Sequence, residues 1–249
     1  MLAIVFEGCA CRAAFHTGVA AALAEEKLTA DLTAGASSGS LCAAAVAAGK
    51  GAQLPQMWRE LSGQSVVSWR RLWKNRSPFD MSHIVRSALQ KHLGSLDLRQ
   101  NQTEALIVAT RLRDFSRLVF SSREEPDLIE PLLGSCFIPI LYGRPVRVGR
   151  EWLVDGGAVD NLPVELLAER GAKDIIAVVT KATGMVNKTP LHKRWRPMVH
   201  GAKLHLVMPS EPLSIRSWDF DESRMNQAIE EGYKQGRALV RYGGSPASR

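Results

Sequence analysis

The 249-residue sequence lacks an apolar run long enough to cross a membrane. A spanning helix needs about 20 predominantly apolar residues, whereas the apolar run at the N-terminus covers only Leu2–Phe6. No positively charged segment precedes this run, so neither a signal peptide nor a membrane anchor is expected. The run predicts a buried first strand instead. We therefore expect a cytoplasmic protein that contacts membranes only peripherally.

Cysteines are also few, and their spacing is irregular. The four are Cys9, Cys11, Cys42 and Cys136, and only the first two form a close pair, C-x-C. A disulfide framework shows regular spacing in a small secreted chain, so we expect reduced thiols. A structural zinc site needs four ligands, usually in C-x-x-C pairs or with histidines. Neither a metal ion nor another cofactor is therefore expected.

Acidic residues are outnumbered, since 32 Lys and Arg residues face 25 Asp and Glu residues, for a net charge of +7. This excess favours anionic partners. Residues 66–76 and 188–196 combine basic side chains with Trp69, Trp73 and Trp195, a combination that suits an anionic membrane surface. An ordinary solvated surface is the alternative. No nucleic-acid recognition motif accompanies the charge, so a nucleic-acid partner is not expected.

Strand and helix signals alternate early in the chain. After the strand at Leu2–Phe6 come a turn of small residues at 7–12 and a helix at 13–27. A short segment at 31–35 then leads into an Ala-rich helix at 40–48. Repetition of strand, turn and helix predicts βαβ units and a mostly parallel sheet.

The rest of the chain continues this α/β pattern. Further strands are predicted at 103–110, 116–122, 151–154, 174–180 and 203–208. Helices are predicted within 51–101 and at 126–133, 163–170 and 223–240. The polar, basic segment 181–201 is predicted to be a surface loop. No linker divides the chain, so we expect one domain over residues 1–249, folded as a three-layer α/β/α sandwich around a central, mostly parallel sheet.

The first motif that suggests chemistry is G-x-S-x-G, formed by Gly35, Ser37 and Gly39. It lies between a predicted strand and a predicted helix. A serine on such a tight turn adopts strained backbone angles, which requires small neighbours on both sides. The helix that follows presents free N–H groups and the positive end of its dipole. Ser37 is therefore a candidate nucleophile.

A second turn of small residues follows the first strand directly. It reads Gly8-Cys9-Ala10-Cys11-Arg12 and precedes a predicted helix. Backbone N–H groups in such a turn are able to point at an oxyanion, as acyl transfer requires.

The third motif is Asp155-Gly156-Gly157, which follows a short predicted strand. The two glycines allow the chain to turn sharply after the aspartate. Taken alone, an Asp-Gly pair is more often an ordinary turn than a catalytic element.

These three motifs, in this order, resemble the patatin-like phospholipase family. That family has a glycine-rich loop followed by Arg-Gly, then G-x-S-x-G, and much later D-G-G or D-G-A. Two flanking segments strengthen the resemblance: residues 134–139 are small and end in proline, and residues 161–164 contain N-x-P. The resemblance extends from residue 2 to about residue 180, with a weaker match over residues 219–236.

The resemblance implies a catalytic dyad without histidine. Ser37 would attack the ester carbonyl, and Asp155 would accept its proton as the general base. A carboxylate with an ordinary pKa near 4 is a weak base for a serine hydroxyl. We therefore expect burial to raise the basicity of Asp155.

The resemblance also implies an oxyanion hole built from the loop Gly8, Cys9 and Ala10. Arg12 is expected to brace this loop through hydrogen bonds, and Ser38 to present an N–H group at the start of the helix.

The oxyanion loop departs from the family pattern at three positions. Cys9 and Ala10 replace two glycines, and Ala13 replaces the glycine after the arginine. A Cβ atom at such positions tilts the donors or narrows the site. We therefore expect reduced activity, or activity confined to small acyl groups.

The function that follows is a lipid acyl hydrolase of the phospholipase A type, acting on lipid or phospholipid acyl esters through an acyl-serine intermediate. One alternative is an acyltransferase that uses the same dyad. Another is a lipid-binding module that has lost turnover through its altered loop. A Ser-Asp-His triad is not expected, because His192, His200 and His205 do not follow a late strand on a clean turn.

Overall fold

A computed structural model describes residues 1–62, 81–139, 142, 145–186, 189–190, 198–199 and 201–242. Its strands are β1 Leu2–Phe6, β2 Leu32–Ala36, β3 Glu104–Arg111, β4 Arg117–Ser121, β5 Val146–Val148, β6 Glu151–Val154, β7 Asp174–Val178, β8 Met185–Val186, β9 Thr189–Pro190, β10 Met198–Val199 and β11 Ala202–Val207. Its helices are α1 Ala14–Glu25, α2 Ser38–Ala47, α3 Leu54–Ser62, α4 Met81–Leu93, α5 Ile129–Ser135, α6 Val164–Glu169 and α7 Glu222–Tyr242.

Nine of these strands form one sheet, in the order β10-β11-β7-β1-β2-β3-β6-β5, with β4 paired to β3. The five strands from β11 to β3 are parallel. The strands β10, β4, β6 and β5 are antiparallel to their neighbours. The predicted α/β class with a mostly parallel central sheet is confirmed. The carboxyl ends of the parallel strands lie at one edge of the sheet, where ligands of α/β proteins usually bind.

Helices cover both faces of the sheet. Along β1, Ile4 and Phe6 point into one apolar cluster, whereas Ala3 and Val5 point into a second cluster on the opposite face. A strand buried on both faces has apolar residues at every position rather than at alternate ones. This explains why Leu2–Phe6 is an unbroken apolar run.

Close contact between α1 and α7 depends on glycines. A Cβ atom added to Gly18 would lie 1.9 Å from the carbonyl oxygen of Ile229, and one added to Gly232 would lie 2.0 Å from that of Phe15. Real Cβ atoms do not approach oxygen so closely. The two helices therefore pack backbone against backbone, which holds the closing helix against the element that follows the oxyanion loop.

The predicted surface loop at residues 181–201 is partly wrong. Its described residues include β8 and β9, which pair with each other, and β10, which pairs with the edge of the main sheet. These strands have only two residues each, which is too short for the sequence to show a strand pattern. Residues 66–76, most of residues 188–196, and the three tryptophans of those stretches lie outside the described residues.

None of the helices in the described part of the chain is long and apolar enough to cross a bilayer. All four cysteines are buried and free.

Gly232→Ala is expected to destabilise the protein by about 1–3 kcal/mol, since overpacking of this size usually has that effect. Alanine would otherwise stabilise a helix by about 1 kcal/mol relative to glycine, so a loss isolates the steric conflict. The measurement is the free energy of unfolding in urea.

The matched control is Lys234→Ala on an exposed position of the same helix, where a change within about 0.5 kcal/mol is expected. Equal stability of the Gly232→Ala and Lys234→Ala proteins would contradict the close packing of α1 and α7.

Candidate active site

Two strands share one edge of β3, and this brings Ser37 and Asp155 together. The strand β2 pairs with β3 up to Ala36, which lies opposite Val108. The strand β6 runs the other way and ends with Val154 opposite Thr110. The strand β4 pairs with residues 106–110 of β3, which overlap both the stretch paired with β2 and the stretch paired with β6. Because β4 occupies one edge of β3, β2 and β6 must share the other edge. Their carboxyl ends therefore point at each other across two residues of β3, a separation of about 7 Å.

Ser37 has the strained backbone that its motif predicts. Its φ is 53° and its ψ is −134°, a combination that is rare for a residue other than glycine. A Cβ on Gly35 would lie 2.4 Å from the carbonyl carbon of Gly39, and a Cβ on Gly39 would lie 2.3 Å from the carbonyl oxygen of Phe6. Both glycines of the motif are needed because the turn is pressed between β1 and α2.

Ser135 stabilises this strained turn, a role that the sequence did not reveal. The backbone N–H of Ser37 donates to the Ser135 hydroxyl at 2.9 Å, and that hydroxyl donates to the carbonyl of Val108 at 2.6 Å. Ser135 is fully buried at the end of α5. The only sequence signal was its place in the small-residue segment 134–139.

Asp155 is held by its backbone and by one side of its carboxylate. Its N–H donates to the carbonyl of Phe137 at 2.9 Å, and its carbonyl accepts from the Thr110 hydroxyl at 2.8 Å. Its Oδ1 accepts from the N–H of Gly157 at 2.8 Å. A Cβ on Gly156 would lie 2.0 Å from the carbonyl oxygen of Val108, so glycine is required where the turn crosses β3.

Burial raises the pKa of Asp155 above its ordinary value, while hydrogen bonding from the Ser37 side chain and from the Gly157 N–H lowers it. The effect of burial is the larger of the two, so the pKa is raised overall. The second carboxylate oxygen, Oδ2, is buried and has no hydrogen-bond partner within the residues that the structure describes. A buried carboxylate oxygen with a free lone pair is more basic than a solvated one.

The oxyanion loop uses two of its N–H groups internally. The N–H of Gly8 donates to the carbonyl of Asn161 at 3.0 Å, and that of Cys9 donates to the Ser38 hydroxyl at 3.1 Å. Ala10 begins the helical segment after the loop, and Ser38 begins the helix after Ser37. The first N–H groups of a helix have no intrahelical acceptor, and neither of these two donates elsewhere within the described residues. Their N–H groups remain available to an oxyanion.

Asn161 explains why Gly8 remains glycine although the rest of the triplet has changed. A Cβ on Gly8 would lie 2.5 Å from Oδ1 of Asn161, and a Cβ on Gly157 would lie equally close to the same oxygen. The asparagine thus fills the space between the oxyanion loop and the aspartate turn. The resemblance placed Asn161 in a motif but did not predict this contact.

The thiol of Cys9 points into the protein core. Its sulfur lies 3.8 Å from Nδ1 of His16 and 3.8 Å from Oγ of Ser38. Burial raises the pKa of this thiol well above its usual range and lowers the pKa of His16 to about 3. Both groups are therefore neutral at physiological pH. They pack beneath the oxyanion loop, so Cys9 fills space that a glycine would leave empty.

Arg12 does not brace the loop in the expected way. Its Nε is buried and has no hydrogen-bond partner among the described residues. Its charge instead lowers the pKa of the buried Glu7, which burial raises. The Glu7 carboxylate accepts from the N–H and the hydroxyl of Thr180, both at 2.9 Å. Arg12 therefore acts on the end of β1 through electrostatics, next to the loop.

An apolar cavity begins at Ser37. Its wall includes Ala10 and Ser38 from the oxyanion region, and Trp218 is 54% exposed at its rim. The remaining wall residues come mostly from helices on one face of the sheet and are chiefly apolar: Cys11, Leu41, Trp58, Leu61, Met81, Ile84, Val85, Cys136, Ile138, Tyr142, Phe220 and Met225. A hydrocarbon chain fits such a wall better than a polar group does.

Of the three histidines considered for a triad, only His205 is described, and it does not join this site. His205 contacts Asp174 at 3.1 Å, and its strand pairs with β7 rather than with β2 or β6. His192 and His200 lie outside the described residues. No group of three or more His, Cys, Asp or Glu side chains is placed to hold a metal ion within the ranges described above.

Comparisons with known proteins agree with this geometry. A sequence profile named Patatin-like phospholipase matches residues 4–168. The human protein named patatin-like phospholipase domain-containing protein 4 is 32% identical over 175 residues, which cover 64% of this chain and 65% of that protein. The chain therefore spans less than two-thirds of this relative.

Solved structures share the fold at low sequence identity. VipD from Legionella pneumophila gives a TM-score of 0.59 at 13% identity, covering 96% of this chain and 66% of VipD. Human GIVD cytosolic phospholipase A2 in complex with methyl gamma-linolenyl fluorophosphonate gives 0.60 at 13% identity, covering 97% and 57%. At such identities the likeness shows the fold alone. With the profile match over two-thirds of its length, however, the chain belongs to the patatin-like phospholipase family.

Proposed function

We propose that this protein hydrolyses acyl esters of lipids, with Ser37 as the nucleophile and Asp155 as the general base. The observation that carries the proposal is the meeting of β2 and β6 on one edge of β3. That arrangement delivers a strained serine and a buried, basic carboxylate to the same point, at the end of an apolar cavity. Nucleophilic catalysis needs a nucleophile and a base within hydrogen-bond reach of each other.

The reaction begins when the Ser37 hydroxyl attacks the ester carbonyl and transfers its proton to Asp155. The carbonyl oxygen gains negative charge as the tetrahedral intermediate forms. Collapse of this intermediate breaks the ester bond, and the protonated Asp155 returns the proton to the leaving alcohol. Water, deprotonated by Asp155, then attacks the acyl-serine; the second tetrahedral intermediate releases a fatty acid, and Asp155 returns the proton to the Ser37 oxygen.

The oxyanion would bind to the free N–H groups of Ala10 and Ser38. Ser38 is the first residue of α2, so the positive end of that helix dipole also favours the negative charge. Loss of one such donor in other serine hydrolases lowers kcat by about 10²–10³. The hydroxyl of Ser38 holds Cys9 and thereby keeps the loop that carries Ala10 against α2.

The proposed substrate is a lipid or phospholipid whose acyl chain enters the apolar cavity while its polar part stays at the mouth. The names of the relatives support this class, since the human relative is a patatin-like phospholipase domain protein and one structural neighbour is a cytosolic phospholipase A2. Because such a substrate resides in a membrane, we propose that the protein associates transiently with an anionic membrane surface.

The test is labelling with a fluorophosphonate probe, followed by mass spectrometry. An adduct on Ser37, together with p-nitrophenyl ester cleavage that disappears in Ser37→Ala, would support the hydrolase. Faster product formation as an acyl ester when an acceptor alcohol is added would favour the acyltransferase instead. Absence of both labelling and cleavage would favour a lipid-binding module without turnover.

Asp155→Asn is expected to lower kcat by orders of magnitude, because the amide keeps the shape of the carboxylate but cannot accept the proton of Ser37. The same change should keep or raise stability at neutral pH. Burial raises the pKa of Asp155, so its contribution to stability is present below its unfolded pKa and is lost as the pH rises through its folded pKa. Asparagine does not ionise, so the variant does not lose this stability as the pH rises.

The measurements are kcat on a soluble ester and the melting temperature across a pH series. The stability gain of the variant should vanish at low pH. Near-wild-type turnover in Asp155→Asn would remove the assigned role.

In the wild-type protein, kcat/KM is expected to rise with pH through a single ionisation above the ordinary aspartate value of about 4. Burial raises this pKa, and the base acts only when it is ionised. His16 cannot supply the step, because burial lowers its pKa to about 3. A pH–rate profile of Ser37-dependent esterase activity is the measurement. A rate that falls as Asp155 ionises would contradict the mechanism.

Ala10→Gly is expected to raise kcat/KM for long acyl chains relative to short ones, because the Ala10 methyl lines the cavity beside Ser37. Its φ of 52° suits glycine, so stability should change by less than about 1 kcal/mol. Cys9→Gly is the contrasting variant: it should give no such gain and should destabilise, since its thiol fills core space. Unchanged selectivity in Ala10→Gly would mean that the methyl does not limit the site.

A further inference from the structure

Two hairpin turns at the active-site edge carry exposed apolar side chains next to arginines. Among the described residues, Phe115 is 63% exposed, Trp152 is 46% exposed and Leu112 is 40% exposed. We name this surface the docking tip; its members are Leu112, Arg113, Phe115, Arg147, Arg150 and Trp152.

The two turns are joined into one surface. The N–H of Leu112, just beyond β3, donates to the carbonyl of Trp152 in β6 at 2.8 Å. Arg147 pairs with Trp152 across β5 and β6, and its guanidinium lies 5.7 Å from the centre of the indole ring. The tip is therefore a fixed part of the sheet and not a pair of independent loops.

The docking tip extends beyond the catalytic residues on the same edge of the sheet. Ala36, next to Ser37, lies opposite Val108, and Leu112 is four residues further along in the direction of β3. At about 3.3 Å per residue, Leu112 lies roughly 13 Å beyond Val108, and therefore beyond the end of β2 where Ser37 follows. A flat surface that touches the tip would thus face the edge where Ser37 and the exposed Trp218 lie.

The described structure gives no explanation for a phenylalanine at position 115. Its φ is 54°, a region that is unfavourable for a bulky residue and suits glycine or asparagine. The turn is closed without its side chain, by the N–H of Arg111 donating to the carbonyl of Ser116 and by Ser116 donating to Asp114. Both its backbone strain and its exposure therefore oppose this residue in an isolated protein.

The charges around the tip are complementary to an anionic surface. Arg111 contacts both nearby carboxylates, Asp114 at 3.3 Å and Glu151 at 3.1 Å. The side chain of Arg113 is 77% exposed and lies 3.5 Å from the Asp114 carboxylate, which it shares with Arg111. Arg147 and Arg150 are also exposed. Four arginines against two carboxylates leave an excess of two positive charges beside the aromatic rings.

We propose that the docking tip binds an anionic lipid surface, with Leu112, Phe115 and Trp152 at headgroup depth and the arginines on lipid phosphates. Aromatic rings beside basic residues are the combination that such an interface favours. The proposal rests on the proposed function, because a lipid substrate gives docking at this edge its purpose. The apolar cavity then opens towards the membrane from which the acyl chain comes.

The experiment is co-sedimentation of the full chain with vesicles of phosphatidylcholine alone or mixed with phosphatidylserine, at low salt. Phe115→Asn should weaken binding to the mixed vesicles at least fivefold while keeping or raising the melting temperature, because asparagine tolerates a positive φ. Arg113→Gln with Arg150→Gln should weaken binding by roughly fivefold for each arginine removed.

The matched control is Lys173→Gln with Lys203→Gln, which removes the same net charge from exposed positions at the opposite edge of the sheet. This variant should bind the mixed vesicles nearly as well as the wild type. Equal weakening by both charge variants, unchanged binding by Phe115→Asn, or no binding by the wild type would overturn the proposal. So would a loss of self-association in Phe115→Asn with vesicle binding unchanged, since the tip would then contact a second copy of the chain.

Cleavage of a monomeric, water-soluble ester separates this proposal from the proposed function. All docking variants should keep wild-type activity on that ester, because none of the changed residues lines the cavity. If the wild type does not cleave the ester but binds the mixed vesicles through the tip, the hydrolase proposal fails and the docking proposal stands. If it cleaves the ester but the tip variants bind like the wild type, the reverse holds.

Discussion

The site depends on a constraint of β-sheet geometry: one edge of β3 is shared by two strands that run towards each other. A strand has two edges, and β4 occupies one of them. The parallel β2 and the antiparallel β6 must therefore divide the other edge between them. Residues that follow both strands meet in the gap, without any long loop to place them. A serine and an aspartate far apart in sequence thus become neighbours through backbone hydrogen bonding alone.

Much of the surrounding structure keeps this gap narrow. The carbonyl of Val108 marks its centre: it accepts from Ser135, which in turn holds the N–H of Ser37, and it excludes any side chain at Gly156. A single carbonyl thus contacts both turns that carry the proposed dyad. A rigid support of this kind is needed because Ser37 has unfavourable backbone angles, which persist only where the surroundings determine them. Oδ2 of Asp155, which has no hydrogen-bond partner in the described part of the chain, is a second locally unfavourable feature, and both features would favour the proposed chemistry.

The sequence predicted most of the strands and helices, and it suggested the two residues of the proposed dyad for a different reason. Strands such as Leu2–Phe6 are apolar throughout because both faces of the sheet are covered, a pattern readable without a structure. The motifs at Ser37 and Asp155 were recognisable because glycines are fixed by close backbone contacts, which leave a clear trace in the sequence. Ser135 left no such trace. A buried serine that bridges two backbone groups looks like any other small residue until the third dimension is known.

The short strands in residues 181–201 were missed for a similar reason. Two-residue strands are too short to show a periodic pattern, so the polar composition of the segment prevailed in the prediction. The roles within the oxyanion loop were also beyond the sequence, since which N–H groups are free depends on acceptors supplied by Asn161 and Ser38, both distant along the chain.

The altered glycine triplet illustrates how a loop keeps its shape with different residues. Cys9 has φ of −154° and ψ of 13°, so the loop does not need there the positive φ that favours glycine. Its thiol packs against His16 and Ser38 beneath the loop, and the hydroxyl of Ser38 accepts its N–H. Ala10 does adopt a positive φ, and its methyl reaches the cavity. The two substitutions therefore act on different parts of the protein: Cys9 on the packing that supports the loop, and Ala10 on the space that the acyl chain would enter.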